Sequence, residues 1–287
     1  MKSGASDSRR IAVALERIAR ALEGGAPAPE EFDGGGCFRW RAESGGGGGV
    51  LHPIPFAAAD ELPQLRGLDR QILLVERNTR AFLRGRPSNH VLLTGPRGAG
   101  KSSVARGVLA RHAARLRLIE TDAEGLSQLP RLLPALAARR EKFVVYCDDL
   151  SFARGASAVF QRLKSALDGG LSAARDNVRV YATSNRRRLA PEHFADNSAQ
   201  FNDEIHGGET AEETVALSDR FGLWVPFFDI SPEEYDRIAA GWLAHFGVRA
   251  TPATISRARR WAEERGSMNG RMARHFAAAA AAKTAGD

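Results

Sequence analysis

The chain has 287 residues, 43% of them hydrophobic, 26% charged and 7% aromatic, which is enough to bury a core and excludes a wholly disordered chain. Lys and Arg number 41 against 34 Asp and Glu, a net charge of +7, and only five of the basic residues are lysines. So modest an arginine surplus gives nucleic-acid binding only weak support. Two cysteines, Cys37 and Cys147, make neither a disulfide framework nor a clustered zinc site. No apolar run approaches the roughly 18 residues of a membrane span. Glu16, Arg17 and Arg20 break the longest apolar stretch near the N-terminus, so no signal peptide is expected. The expectation is a cytoplasmic protein with no membrane association.

Ile11, Leu15, Ile18 and Leu22 recur at helical spacing and predict a short amphipathic helix over Ser8 to Leu22. From Gly24 to Gly49 the chain is dense in Gly and Pro and reads as a linker, so residues 1–60 are taken as helix plus linker. Within it, Phe38 and Trp40 are costly to leave in water, so this island is expected to dock on the main domain or on another chain. From about Leu65 a helix over Gly67 to Gly85 leads to a short buried strand, His90 to Thr94, and then a helix reaching Arg115. Strand Leu116 to Glu120, a helix within Leu126 to Arg139 and strand Phe143 to Cys147 follow. After a helix over about residues 156–168 come strand Val178 to Ala182 and, beyond a polar excursion, strand Leu223 to Phe228. Short apolar strands alternating with helices argue for a five-stranded parallel sheet covered on both faces, an α/β core over 61–229. Beyond Asp229 the strands stop. Ser231-Pro232-Glu233-Glu234 is a capping box, Thr251-Pro252 opens a second helix, and Asn269 to Ala282 forms a third, giving a small all-helical lid over 230–287.

Gly95-Pro96-Arg97-Gly98-Ala99-Gly100-Lys101-Ser102 matches GxxxxGK[ST] in full, and it follows a predicted strand and opens a predicted helix. The glycines let backbone N–H groups turn toward phosphates, and the helix N-terminus adds partial positive charge. Lys101 reaches the β and γ phosphates, the Ser102 hydroxyl ligates magnesium, and Ser103 adds a donor beside it. Phe143 to Cys147 is an apolar strand ending in Asp148 and Asp149. Beside a phosphate-loop strand the first acid holds magnesium, directly or through water, and the second polarises the attacking water. The other reading of Asp149 is a helix N-cap.

Together these residues resemble AAA+ P-loop ATPases from about Leu65 to the C-terminus. The resemblance implies ATP as ligand, Mg2+ as metal and homo-oligomer formation in ATP. It also implies conformational work on a protein partner that the sequence does not name. Leu65 to Gln71 looks like the segment lying against the adenine, and Tyr181 to Asn185 looks like the sensor-1 strand, with Asn185 facing the γ-phosphate and water. Leu217 to Leu223 looks like the arginine-finger box, with Arg220 acting in trans, and Gly270-Arg271 looks like sensor 2. More narrowly, Phe38-Arg39-Trp40, Gly67 to Gln71, Cys147 to Phe152, Ala182 to Arg187 and Leu217 to Trp224 resemble a bacterial family of AAA+-like ATP-binding proteins known mainly as a domain of unknown function.

Plainer readings stand beside these. Arg220 pairs with Asp219 or Glu213 in a surface network, Asn185 ends its strand as a turn residue, and Arg271 is one of several lid arginines. Arg186 to Arg188 reads as a solvated loop, and the acidic stretch from Ala195 to Thr214 as an excursion placed to touch a partner. The general AAA+ pattern has Glu where this chain has Asp149. The arm is one methylene shorter, which leaves open a nucleotide-dependent binding switch or adaptor with little hydrolysis.

Overall fold

A computed structural model describes residues 36–42, 49–55, 62–150, 167, 177–185 and 220–284. The amphipathic helix expected at Ser8 to Leu22, the helix at 156–168 apart from the helical residue Leu167, the run Arg186 to Arg188 and the acidic stretch from Ala195 to Thr214 lie outside these residues.

The strands are β1 (Cys37–Ala42), β2 (Gly49–Pro53), β3 (Val91–Thr94), β4 (Leu116–Thr121), β5 (Lys142–Cys147), β6 (Val178–Ser184) and β7 (Leu223–Pro226). They form one sheet in the order β2-β1-β4-β5-β6-β3-β7, parallel throughout except for β2, which runs antiparallel to β1. This is the expected α/β class, with one correction: among the described residues the sheet has seven strands, not five. The two extra strands come from the stretch read as a linker. Glycine on both sides conceals the alternation of the island, in which Phe38 and Trp40 are buried to 0% and 1% exposure while Arg39 points outward to Glu120. β1 pairs with β4, and Arg39 lies opposite Glu120 in that register, so the island docks on its own sheet.

The α-helices described in full are α1 (Asp69–Leu83), α2 (Lys101–Arg111), α3 (Ala123–Ser127), α4 (Leu129–Ala137), α5 (Pro232–His245), α6 (Pro252–Glu263) and α7 (Gly270–Thr284). One apolar cluster joins Val75 and Phe82 of α1 and Val104 and Val108 of α2 to one face of the sheet. A second joins Leu126, Leu132 and Leu136 of α3 and α4 to the other face, where Phe38 and Trp40 also lie. A third, centred on Tyr235, Trp242 and Phe276, holds the three lid helices together. The capping box read at Ser231 to Glu234 forms: Ser231 Oγ accepts from Glu234 N at 3.2 Å, and the Glu234 carboxylate accepts from Ser231 N at 2.9 Å. Among the described residues, no helix is long and apolar enough to cross a membrane.

The strand order places the chemistry. β6 lies between β3 and β5, so the C-terminal ends of these three strands deliver the phosphate loop, Asn185 and the two acids to one edge of the sheet.

Candidate nucleotide-binding site

The loop from Gly95 to Gly100 leaves β3 and enters α2 at Lys101. Gly95, Gly98 and Gly100 all have positive φ (138°, 77° and 99°), a conformation that L side chains rarely adopt, so the loop curls as a phosphate cradle requires. Gly98 is doubly constrained, because a Cβ there would stand 2.4 Å from Cγ of Asn269 at the start of the last lid helix. The phosphate loop and the lid are thus in direct contact.

Lys101 is 5% exposed. Its ammonium donates to the carbonyls of Gly95 and Pro96 at 2.7 Å each and to Asn185 Oδ1 at 3.0 Å. Burial pushes its pKa down to about 8, against the upward pull of Asp149 and Asp148, while Arg271 and Arg97 press it further down. A buried cation whose three donors sit on neutral oxygens is poised for an anionic ligand.

Asp148 and Asp149 occupy different environments. Asp148 Oδ1 accepts from Ser102 Oγ at 2.6 Å, Thr183 Oγ1 at 2.7 Å and Tyr146 OH at 3.0 Å, and Oδ2 accepts from Arg106 at 2.6 Å. Burial alone raises this carboxyl, but the bonds from Ser102, Thr183 and Arg106 outweigh it and hold the group below the usual carboxylate range. Asp149 has φ of 56°, in the left-handed region, and the residues from 151 that it would cap lie outside the described ones. Its N–H donates to Thr183 Oγ1 at 2.9 Å, and its Oδ1 accepts from Asn185 Nδ2 at 2.6 Å. Asn185 therefore bridges Lys101 and Asp149.

A cavity of about 460 Å³ opens between this edge of the sheet and the lid. Of the residues expected at the site, Gly98, Ala99, Gly100, Lys101, Ser102, Ser103, Asn185 and Arg271 line it. Gly95 and Pro96 instead turn their carbonyls to Lys101, and Arg97 acts on that ammonium through its charge. Leu65 and Leu68 on one side and Ile238 and Trp242 on the other form apolar walls. Arg220 does not line the cavity. It precedes β7, whose Leu223 lies beside Val91 while Pro226 lies beside Thr94, so Arg220 is at the opposite end of the sheet from the phosphate loop. The four residues of β7 alone span roughly 10 Å.

Three further residues of the site escape sequence reasoning. Arg106 lies four residues past Ser102 on the same helical face and reaches the same carboxylate. Thr183 links the two acids from the neighbouring strand, and Asn269 meets the loop from the lid. Their partners are remote in sequence, so no local pattern marks them. Among the described residues, no group of three or more His, Cys, Asp or Glu could hold a metal by itself. A hydroxyl and a carboxylate, Ser102 and Asp148, fit a hard cation that takes its remaining oxygen ligands from phosphate and water, as magnesium does.

Several solved structures are similar to the chain, all at low identity. The RuvB Holliday junction branch migration motor of Thermotoga maritima is 16% identical, with 77% of this chain and 72% of that chain covered and a TM-score of 0.45. The FIGL-1 AAA domain in complex with ADP is 20% identical over 80% and 73%, with a TM-score of 0.49. Domain III of the Thermotoga maritima replication initiation protein DnaA is 15% identical over 73% and 81%, with a TM-score of 0.47. No curated protein matches the sequence. The narrower resemblance, carried by strings from Phe38 to Trp224, is borne out by a family model that matches residues 35–284, β1 and the lid included: the chain belongs to the family described as protein of unknown function (DUF815).

Proposed function

We propose that the chain is an AAA+-type ATPase that binds ATP with magnesium in the cavity between sheet and lid, and uses hydrolysis to move an unidentified protein partner. One observation carries this reading: the phosphate loop, Ser102 and the lid residue Arg271 line one cavity with apolar walls suited to a base, and Ser102 ties Asp148 to its edge. Lys101 and the loop amides hold the phosphates. Ser102 and Asp148 would hold magnesium, which supplies charge neutralisation at the phosphoryl oxygens. Asp149 and Asn185 orient the water, Arg271 reaches the nucleotide from the lid, and Asp149 takes the proton as general base.

Arg220 is proposed as a finger acting in trans, because it lies at the far end of its own sheet. Such fingers contribute roughly 10³–10⁵ in rate where they act, so an isolated subunit should be nearly inactive and ATP should favour a homo-oligomer. The test is steady-state phosphate release against protein concentration, with light scattering in ATP. Specific activity should rise with concentration in the wild type and stay near zero in Arg220→Ala. Concentration-independent hydrolysis, with Arg220→Ala as active as wild type, would refute the trans finger. Running the assay with and without DNA checks the nucleic-acid alternative, for which the arginine surplus is the support.

A second reading, a nucleotide-dependent switch or adaptor with little turnover, draws on Asp149. Its arm is short, and Asn185 already occupies Oδ1 at 2.6 Å. Tight ATP binding without phosphate release at any concentration would favour it.

A further inference from the structure

Arg106 bonds Asp148 but has no part in the mechanism above. Of the four donors to Asp148, three are neutral hydroxyls (Ser102, Thr183 and Tyr146), which can rotate away from an arriving cation. The fourth is a guanidinium, charged at every accessible pH, on Oδ2 at 2.6 Å. The pair is partly solvated, with the two side chains 49% and 38% exposed, so as a stability device it contributes little. Its effect is on local charge. A dication approaching a bare carboxylate meets a full negative charge, whereas one approaching Oδ1 of this ion pair meets a nearly neutral group. The phosphates, meanwhile, face fixed protein charges: Lys101 in the cradle, with Arg97 and Arg271 close enough to shift its proton affinity.

We propose that Arg106 is the resident counter-charge of Asp148, so that a divalent ion arriving at Oδ1 beside Ser102 meets a nearly neutral carboxylate and nucleotide binding depends little on the divalent ion. Nucleotide capture and metal loading then become separable events. This rests on the nucleotide-site reading, and goes beyond it in assigning the charge that the metal meets.

The test is calorimetric titration of the full chain with ADP, once in EDTA and once in millimolar magnesium, so that it reads binding rather than turnover. In wild type the two dissociation constants should agree within about threefold, the scale of a weak surface pair. In Arg106→Met, Asp148 is left uncompensated, and magnesium should tighten ADP binding by about tenfold to a hundredfold, the range for a bond to a charged group. Arg106→Lys restores a cation and should return the ratio toward the wild-type value, which separates charge from packing, and melting curves of both variants report folding. Wild-type ADP binding that collapses in EDTA would overturn the proposal. So would an Arg106→Met protein with the wild-type ratio. A wild-type chain that binds no ADP in either buffer would instead refute the nucleotide-site reading itself, a result distinct from both.

Discussion

Lys101 offers a quantitative consequence of burial. Its ammonium is 5% exposed and donates to three neutral oxygens, and burial lowers its pKa from 10.5 to about 8. Phosphate oxygens in the cradle would replace those neutral acceptors with negative charge and return the pKa toward its ordinary value. At about pH 9 roughly nine in ten ligand-free molecules carry neutral Lys101, at about pH 8 half do, and at about pH 7 one in ten. Nucleotide binding should therefore take up close to one proton at about pH 9 and almost none at about pH 7. Affinity should fall by about tenfold per pH unit above about 8, as binding must first protonate the lysine. The folding linkage has a definite sign: between about 8 and 10.5 the unfolded chain holds a proton that the folded chain has released, so this group makes the ligand-free protein more stable as pH rises through that window. Calorimetry of ADP binding in two buffers of different ionisation enthalpy counts the protons directly, at a pH where the nucleotide's own phosphates are fully ionised. Tight binding at about pH 9 without proton uptake would refute the reasoning.

His90 should make the fold acid-sensitive. Burial, with help from Arg179, lowers its pKa from 6.5 to about 4, and its Nδ1 accepts from Val180 N at 2.9 Å. Stability is then lost as pH falls from 6.5 toward about 4, by up to about 3 kcal/mol, and urea denaturation of wild type against His90→Gln should show the slope flatten in the variant. Gly98→Ala should cost the roughly 1–2 kcal/mol of left-handed backbone and also push the lid away through Asn269, lowering both melting temperature and ADP affinity. Gly247→Ala, with φ of 74° and nothing within 4 Å, should carry the backbone cost alone, and equal effects at both glycines would refute the lid contact. Asp149→Asn should leave ADP affinity within about threefold of wild type while abolishing phosphate release, because the carboxylate is proposed to act on water rather than on the ligand; equal loss of both would count against that division.

Much of the fold is legible because its signals are local. The phosphate loop has fixed spacing, and Ser231-Pro232-Glu233-Glu234 carries its own cap, realised in both reciprocal bonds. Strands β3, β5 and β6 announce themselves as short apolar runs. What is hidden depends on neighbours distant in sequence. The β1–β2 pair is set among glycines, and the indole of Trp40 finds its place against the backbone at Gly49 and Gly125 only once the sheet forms. The helix expected within Leu126 to Arg139 is α4, and the sequence reading missed the short α3 that Asp122 caps just before it. At the site, Asp148 and Asn185 could be picked out as strand-end polar residues. Arg106 and Thr183 could not, since they meet Asp148 from 42 and 35 residues away.

The central claim is that this chain binds ATP through the loop ending at Lys101, and a melting curve of the full chain with and without magnesium and ATP tests it most directly. A ligand that binds only the folded state adds about 2.7 kcal/mol at 100-fold over its dissociation constant, so the wild-type melting temperature should rise by several degrees and the shift should vanish in Lys101→Ala. Wild type and Lys101→Ala melting alike in millimolar ATP would contradict the account.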